Sequence, residues 1–245
     1  MKNWQIAAVL TFLIMGTVMM SGCASPGSTR TVPMATSTPQ IVYVTVTVTP
    51  TPTPSPTMAQ KTVLFSDDLS RWRSGWDSET VDSSGKTFYS GGFLHILDKN
   101  PPTGTNYLSL NKNFNDFILD VDVKTIDGKI DNWQSVDVRS QGDYDYYALA
   151  ISADGYYGIQ KWKNSNLEQL EGPTYSSYIN TGIGAINHIH IEANKNALGF
   201  SVNGHHLKTV TDSTFNKGEV DLAATSLPSN SYTEVVFNNL VITTI

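Results

Sequence analysis

The stretch FILDVDVKT, residues 117–125, decides how the larger part of this chain folds, because its apolar and polar residues alternate from Leu119 onward. Successive side chains of an extended strand point to opposite faces, so such alternation places one face in a core and the other in water. The core-facing set would be Leu119, Val121 and Val123, and the water-facing set Asp120, Asp122 and Lys124. The stretch therefore predicts a half-buried β-strand.

The same alternation recurs throughout residues 61–245. Further examples are SVDVRS at 135–140, NHIHIEA at 187–193, EVDLAA at 219–224 and TEVVFNNLVI at 233–242. The pair Asn203–Gly204 lies between two such runs and favours a tight hairpin, since both residues accept positive φ. The spacing of three and four that indicates a long helix is missing from this sequence. About a dozen strands joined by short turns predict an all-β fold, a two-sheet antiparallel sandwich over residues 61–245.

The first 22 residues have the pattern of an export signal. Lys2 is followed by the uncharged apolar run IAAVLTFLIMGTVMM at 6–20, and small Ser21 and Gly22 precede Cys23, the only cysteine. This arrangement resembles the lipobox of prokaryotic lipoproteins, and the resemblance implies cleavage before Cys23 and a diacylglycerol on its sulfur. The alternatives are a cleaved signal peptide with an incidental free cysteine, or an uncleaved anchor helix. Residues 1–22 are therefore predicted to be a lipoprotein signal peptide.

Residues 23–60 are rich in threonine and proline and include TVTVTPTPTPSPT at 45–57. Proline fixes φ and lacks an amide donor, so this repeat favours extended polyproline II. The segment is predicted to be an extended, disordered linker that carries the following domain away from a membrane. With lipid on Cys23, the expected location is extracytoplasmic, anchored to the cell membrane.

Composition narrows the range of partners. The formal net charge is −6 and only 16% of the residues are charged. An acidic chain is a poor ligand for a nucleic-acid backbone, so we expect no nucleic-acid partner. A domain of this length buries enough surface to fold without disulfides.

The order of motifs from about residue 63 to 242 resembles the concanavalin A-like lectin and glucanase jelly rolls, especially laminin-G-like and 3-keto-disaccharide-hydrolase-like modules. The motifs are LFSDDLSRWRSGW at 64–76, GGFLHI at 91–96, YYALAISADGYYGIQKW at 146–162 and VVFNNLVI at 235–242. The resemblance implies a jelly-roll sandwich. Some such modules hold a structural calcium near the opening acidic pair and the final strand. Its candidate ligands here would be Asp67, Asp68 and Asn238, although Asn238 has lost the usual carboxylate and a turn-capping role for the aspartates is the alternative.

The resemblance also raises the possibility of an enzyme. The related glucanases carry carboxylates at alternating positions of one strand, Glu-x-Asp-x-Glu or a variant, where two of them flank a glycosidic bond. Here DVDVK ends in Lys124 and EVDLA ends in Ala223 where the third carboxylate would stand. If the chain is an enzyme, the expected catalytic residues are Asp120, Asp122 and Asp137. Otherwise these strands present a wet or ligand-facing surface, and no cofactor is expected.

Aromatic residues are dense between residues 133 and 178, and tyrosine and tryptophan suit a wet face that stacks on sugar rings. The predicted ligand-binding residues are Trp133, Asp137, Arg139, Tyr147 and Trp162. Adjacent tyrosines point to opposite faces, so one of each pair is expected in the core. For Arg139, a salt bridge to Asp120, Asp122 or Asp137 is the alternative. His188 and His190 share a strand face, where surface residues are the more frequent case than a metal site.

These observations predict a surface lipoprotein whose domain binds a glycan, or another extracellular component such as a surface protein, without catalysis. The alternatives are a glycoside or keto-sugar hydrolase that uses carboxylates, and a structural adhesion or envelope module with no small ligand.

Overall fold

Two antiparallel sheets enclose one apolar core in the computed structural model of the protein, which describes residues 61–99, 105–142, 144–227 and 232–245. This part of the chain contains strands and turns and no helix. The strands are β1 (Val63–Asp67), β2 (Gly85–Ser90), β3 (Phe93–Asp98), β4 (Thr105–Phe114), β5 (Phe117–Gly128), β6 (Trp133–Ser140), β7 (Tyr146–Ser152), β8 (Tyr156–Lys163), β9 (Asn166–Tyr175), β10 (Asn187–Asn194), β11 (Ala197–Val202), β12 (His205–Thr211), β13 (Gly218–Thr225) and β14 (Thr233–Thr243). The prediction of an all-β, two-sheet antiparallel sandwich is confirmed.

One sheet has eight strands, in the order β12-β11-β10-β5-β14-β3-β2, with β1 added beside β14. The long strand β14 pairs with β3 through its first half and with β1 through its second half. The other sheet has six strands, in the order β4-β13-β6-β7-β8-β9. Strands adjacent in this sheet are therefore often distant in sequence, as β13 is from both of its neighbours.

The core lies between the sheets and follows the alternation of the sequence. Leu119, Val121 and Val123 of β5 are buried in it, whereas Asp120 and Asp122 lie on the outer face. Burying an apolar side chain of this size contributes about 1.5–3 kcal/mol relative to leaving it exposed, so the alternation fixes the register of the strand.

The predicted hairpin at Asn203–Gly204 is present between β11 and β12. Both residues have positive φ, 52° and 79°, as the tight type I′ turn requires.

Among the residues that the structure describes, no helix is long and apolar enough to span a membrane. The predicted signal peptide, Cys23 and the linker lie outside the described residues.

Candidate functional site

A groove of about 260 Å³ lies on the outer face of the six-stranded sheet, the face turned away from the core. Its base is low because three positions along β7 and β8 carry small residues. They are Ala148, Ala150 and Gly158. A Cβ added at Gly158 would come within 3.3 Å of the Gln169 amide nitrogen, so glycine keeps the base clear of the next strand. The sheet thus offers a shallow apolar floor to a flat ligand.

Large aromatic side chains line this floor. They are Trp133 of β6, Tyr146 of β7 and Trp162 of β8. Tyr146 and Trp162 are Cα partners, and their rings are stacked with centroids 6.3 Å apart. All three are partly exposed, so the ring surfaces remain accessible to a ligand. Two of the predicted ligand-binding residues, Trp133 and Trp162, therefore lie together in the groove.

Polar side chains cross the groove in one row. The row consists of Asp137 of β6, Gln160 of β8 and Gln169 of β9. The small Ala148 of β7 lies between Asp137 and Gln160, and each residue is the Cα partner of the next. The Gln160 amide nitrogen donates a hydrogen bond to Gln169 Oε1 at 3.2 Å. The groove therefore combines stacking surfaces with hydrogen-bonding groups at fixed positions, as ligand sites for small polar molecules usually do.

Asp137 has a second carboxylate beside it. Its Cα partner across β13 is Asp221, and each residue is only 4% exposed. The Ser135 hydroxyl donates to Asp137 Oδ1 at 2.8 Å, and the Ser109 hydroxyl donates to Asp221 Oδ1 at 2.6 Å. Burial, and then the charge of Asp221, raise the pKa of Asp137 well above its ordinary value. Burial also raises the pKa of Asp221 to about 6.

Tyr147 does not belong to the groove. Its side chain lies in the core, where its hydroxyl donates to Asp212 Oδ1 at 2.6 Å and accepts from the Phe215 amide at 3.1 Å. The prediction of Tyr147 as a ligand-facing residue chose the wrong member of the Tyr146–Tyr147 pair. Residues 149 and 151 of the same strand are apolar and buried, so their parity assigns Tyr147 to the core and Tyr146 to the outer face.

Arg139 is also separated from the groove, and the reason is a bulge. The pairing of β6 with β13 jumps from Ser140 to Val138, and Arg139 between them has a φ of 55°. Its side chain is fully buried and donates hydrogen bonds to the carbonyls of Phe215 and Asn115 at 3.0 and 3.3 Å. Its ion pair is with Asp116 at 3.4 Å, not with the three aspartates considered from the sequence. The structure therefore gives Arg139 a structural position, away from the recognition cluster in which it was predicted.

Asp120 and Asp122 lie on the other sheet from Asp137, so the three predicted carboxylates do not converge. Asp120 accepts from His190 Nδ1 at 2.7 Å, and Asp122 contacts His188 Nδ1 at 2.8 Å. Burial opposes ionisation of Asp120, but the hydrogen bonds from the two histidines lower its pKa. Asp137 has Asp221 as its acidic neighbour instead.

The candidate calcium ligands contact an arginine. Arg73 lies 3.5 Å from Asp67 Oδ1 and donates to both carboxylate oxygens of Asp68 at 3.0 Å. Asp67 also accepts from the Trp76 indole at 3.1 Å, and Asn238 lies opposite Asp122 in the β5–β14 pair. No group of three or more metal-binding side chains is placed for an ion within residues 61–99, 105–142, 144–227 and 232–245. The carboxylates that calcium would need are engaged by a guanidinium, and a calcium site stays a prediction.

Tyr146 in the groove and Asp221 beside it were missed from the sequence although a signal for each exists. Tyr146 follows from the parity of its strand, and Asp221 from the apolar Val220 and Leu222 that flank it. Gln160 and Gln169 carry no such signal, because polar residues on a strand face are common and only the pairing of β8 with β9 brings them together.

Among known proteins, the chain is similar to solved structures. No protein-family model matches the chain, and no curated protein matches it. Carbohydrate-binding module CBM66 from Bacillus subtilis is similar with a TM-score of 0.50 and 17% identity, over 69% of this chain and 94% of that one.

Two further solved structures are similar over comparable lengths. A protein of galectin-like fold from Bacillus subtilis has a TM-score of 0.52 and 14% identity, over 75% of this chain and 97% of that one. The catalytic domain of an endo-1,3-beta-glucanase from Thermotoga petrophila has a TM-score of 0.54 and 7% identity, over 76% and 98%. At these identities the likeness concerns the fold alone: the described domain is a jelly-roll sandwich.

Proposed function

We propose that the domain binds a glycan in the groove on the outer face of the six-stranded sheet, without cleaving it. The observation that carries the proposal is the set of rings from Trp133, Tyr146 and Trp162 beside a floor of small residues. Sugars present flat arrays of C–H groups that stack on such rings, and hydroxyl groups that the polar row of Asp137 and the two glutamines can bind. The similarity to a carbohydrate-binding module supports the same class of ligand.

The test is a glycan microarray with the wild-type chain and a Trp162→Ala variant. We expect binding to one class of polysaccharide or oligosaccharide, and loss of most of that signal in the variant, because stacking on an exposed ring supplies much of the affinity. Trp72→Ala is the matched control, since Trp72 is 49% exposed and does not line the groove. A folded wild-type chain that binds no glycan would refute the proposal and favour adhesion to a protein.

A hydrolase is the second candidate, and the Asp137–Asp221 pair favours it. Retaining glycosidases use two carboxyl groups about 5 Å apart, one of them kept protonated by its surroundings. Asp137 and Asp221 are cross-strand neighbours, which brings two carboxyl groups close together. The raised pKa of Asp137 favours a protonated carboxyl group there. Release of reducing sugar from β-glucans that disappears in Asp137→Asn, and persists in Asp120→Asn on the other sheet, would establish this function in place of simple binding.

We further propose that lipid on Cys23 holds the domain outside the cell, on the strength of the sequence pattern around that residue. Two acyl chains bind a membrane stably, because each buried CH₂ contributes about 0.8 kcal/mol. Cys23→Ser should move the chain from the membrane fraction to the soluble fraction. A wild-type chain whose Cys23 is unmodified by mass spectrometry would exclude lipidation.

A further inference from the structure

Asp137 in the groove and Asp221 beside it are both buried, and they lie on paired strands as one titrating unit. Asp137 lines the groove, and Asp221 lies directly beside it on the neighbouring strand. Cβ atoms of directly opposed residues in an antiparallel pair are about 4.5–5.5 Å apart. Both side chains are almost fully buried, so solvent screens the repulsion between their negative charges only weakly.

Within the part of the chain that the structure describes, the charges that act most strongly on the pair are those of other carboxylates. Glu219 on the same strand and Asp77 before β2 add negative charge near Asp221. Tyr146 on β7 interacts electrostatically with both carboxylates. Burial and then their negative charges raise the pKa of its phenol. The phenols of Tyr107 on β4 and Tyr144 before β7 also act on Tyr146.

Within the described residues, no lysine, arginine or histidine forms an ion pair with Asp137 or Asp221. The hydrogen bonds to the pair come from neutral serines: Ser135 for Asp137, and Ser109 and Ser140 for Asp221. Two buried carboxylates in this setting cannot both be ionised without a large penalty, and retaining one proton removes most of it.

We propose that Asp137 and Asp221 hold one proton between them at neutral pH, and that this pair makes the groove selective for uncharged sugars. Asp137, which faces the ligand, presents a carboxylic acid that donates a hydrogen bond to a sugar oxygen. Asp221 is a positioning residue that keeps the proton on Asp137 and retains a single negative charge behind it. The inference rests on the proposed glycan binding and adds to it the charge class of the ligand.

This pair has two consequences for a ligand. A uronic acid would bring a carboxylate toward a groove that already carries negative charge, so it is rejected. A neutral sugar gains a hydrogen bond from the acid as long as the shared proton is present. Binding of neutral sugars therefore weakens in the alkaline range, where the pair loses that proton and both oxygens become acceptors only.

The first measurement needs no ligand. Carbon-13 NMR of the aspartate carboxyl groups, followed from pH 3 to pH 10 in the full chain, reports each carboxyl group directly. We expect one aspartate signal, absent in Asp137→Asn, to remain that of a protonated carboxyl group at pH 7, and to titrate at lower pH in Asp221→Asn, where the negative neighbour is gone. Ordinary titration of both aspartates near pH 4 would overturn the proposal, whatever the chain binds.

The second measurement is calorimetric binding at pH 6.5 with uncharged hexasaccharides (laminarihexaose and cellohexaose) and charged ones (mannuronate and galacturonate hexamers). We expect the neutral probes that bind to do so at least about tenfold more tightly than the uronates. In Asp137→Asn the side-chain amide has no proton to lose in this range, so any neutral binding that remains should not decline at alkaline pH. Asp221→Asn should reduce the discrimination against uronates.

Asp120→Asn removes the same charge from the other sheet and is the matched control for both measurements, with no change expected. Uronates that bind as well as or better than neutral probes would overturn the proposal. If no hexasaccharide binds the wild-type chain, the claim of sugar selectivity fails together with the proposed function, and the NMR titration still decides whether the proton is shared.

Discussion

Tyr146 and Trp162 stack across strands β7 and β8 with ring centroids 6.3 Å apart and an angle of 26° between their planes. Both rings line the groove, and small residues of the same two strands form its floor. Each ring holds the other in place, so less conformational entropy is lost when a ligand stacks on them. This pair is the part of the groove most nearly preformed for a flat ligand.

Tyr146→Ala removes one ring of that pair and should weaken glycan binding at least about tenfold, since stacking residues at the centre of a site carry a large share of the affinity. The melting temperature should change little, because the side chain is only partly buried. Calorimetry with a ligand identified on the array measures the first effect, and thermal unfolding the second. Unchanged affinity would show that the ring of Tyr146 does not take part in glycan binding.

Tyr147→Phe should show the opposite behaviour. The variant loses the hydrogen bond from the hydroxyl to Asp212 and leaves the Phe215 amide without its acceptor. A buried donor left unpaired costs about 1–3 kcal/mol, so the free energy of unfolding should fall by that amount while glycan affinity is unchanged. Tyr156→Phe, at a residue that is 40% exposed, is the matched control. Reduced glycan affinity with an unchanged free energy of unfolding would show that Tyr147 belongs to the binding site.

The contrast between these neighbouring tyrosines shows how far the sequence leads. Alternation around residues 119–123 and 135–138 sets the faces of the strands, and the sandwich and its core follow from it. The same reasoning places Trp133, Asp137 and Trp162 on a wet face. The pairing of β13 with β6, which brings Asp221 beside Asp137, joins strands some 80 residues apart, a relation that local patterns do not contain.

Arg139 shows a second limit, because alternation fails at a bulge. A residue of positive φ within a strand turns its side chain out of the expected face, and nothing in SVDVRS signals it. The partner strand adapts to this bend, since a Cβ at Gly218 would lie 2.3 Å from the Arg139 carbonyl carbon. The bulge therefore depends on a glycine one strand away and distant in sequence.

Arg139→Met tests the structural position of this arginine. Methionine fills a similar length but leaves the carbonyls of Phe215 and Asn115 without their donor, so we expect the free energy of unfolding to fall by about 2–4 kcal/mol. Glycan affinity, measured below the new melting temperature, should be unchanged. Arg71→Met at an exposed position should alter neither quantity. Reduced affinity in a fully stable Arg139→Met variant would contradict this assignment.

Calcium should have little effect on the wild-type domain, because Arg73 already places a positive charge against Asp67 and Asp68. We expect the melting temperature to be the same within about 1 °C with millimolar Ca²⁺ or with a chelator, since a ligand stabilises only when it binds the folded state. Arg73→Ala frees the two carboxylates, and in that variant a rise of the melting temperature with Ca²⁺ would show that their geometry suits the ion. A rise of several degrees in the wild-type chain would instead establish the calcium site that the sequence suggests.

Two aspartates, Asp221 and Asp212, have pKa values that the fold moves in opposite directions. Burial raises the pKa of Asp221 to about 6, so the folded state binds a proton more tightly than the unfolded state does. The stability that this proton contributes is complete below about pH 4 and is lost as the pH rises through about 6. Asp221→Asn should therefore increase the free energy of unfolding at pH 7.5, by roughly 3 kcal/mol at most, and change it little at pH 4.

Asp212 behaves in the reverse sense. Burial opposes its ionisation, but hydrogen bonds from Lys161, Tyr147 and Thr214 lower its pKa, so its stabilisation is present above the unfolded pKa near 4 and is lost as the pH falls below it. Asp212→Asn should lower the free energy of unfolding by about 1–3 kcal/mol at pH 7.5, with a diminishing effect toward pH 2. Urea unfolding of both variants at several pH values gives the two slopes. An effect of Asp221→Asn that does not change with pH would show that Asp221 titrates in the fold as it does in the unfolded chain, which would contradict the raised pKa of this carboxyl group.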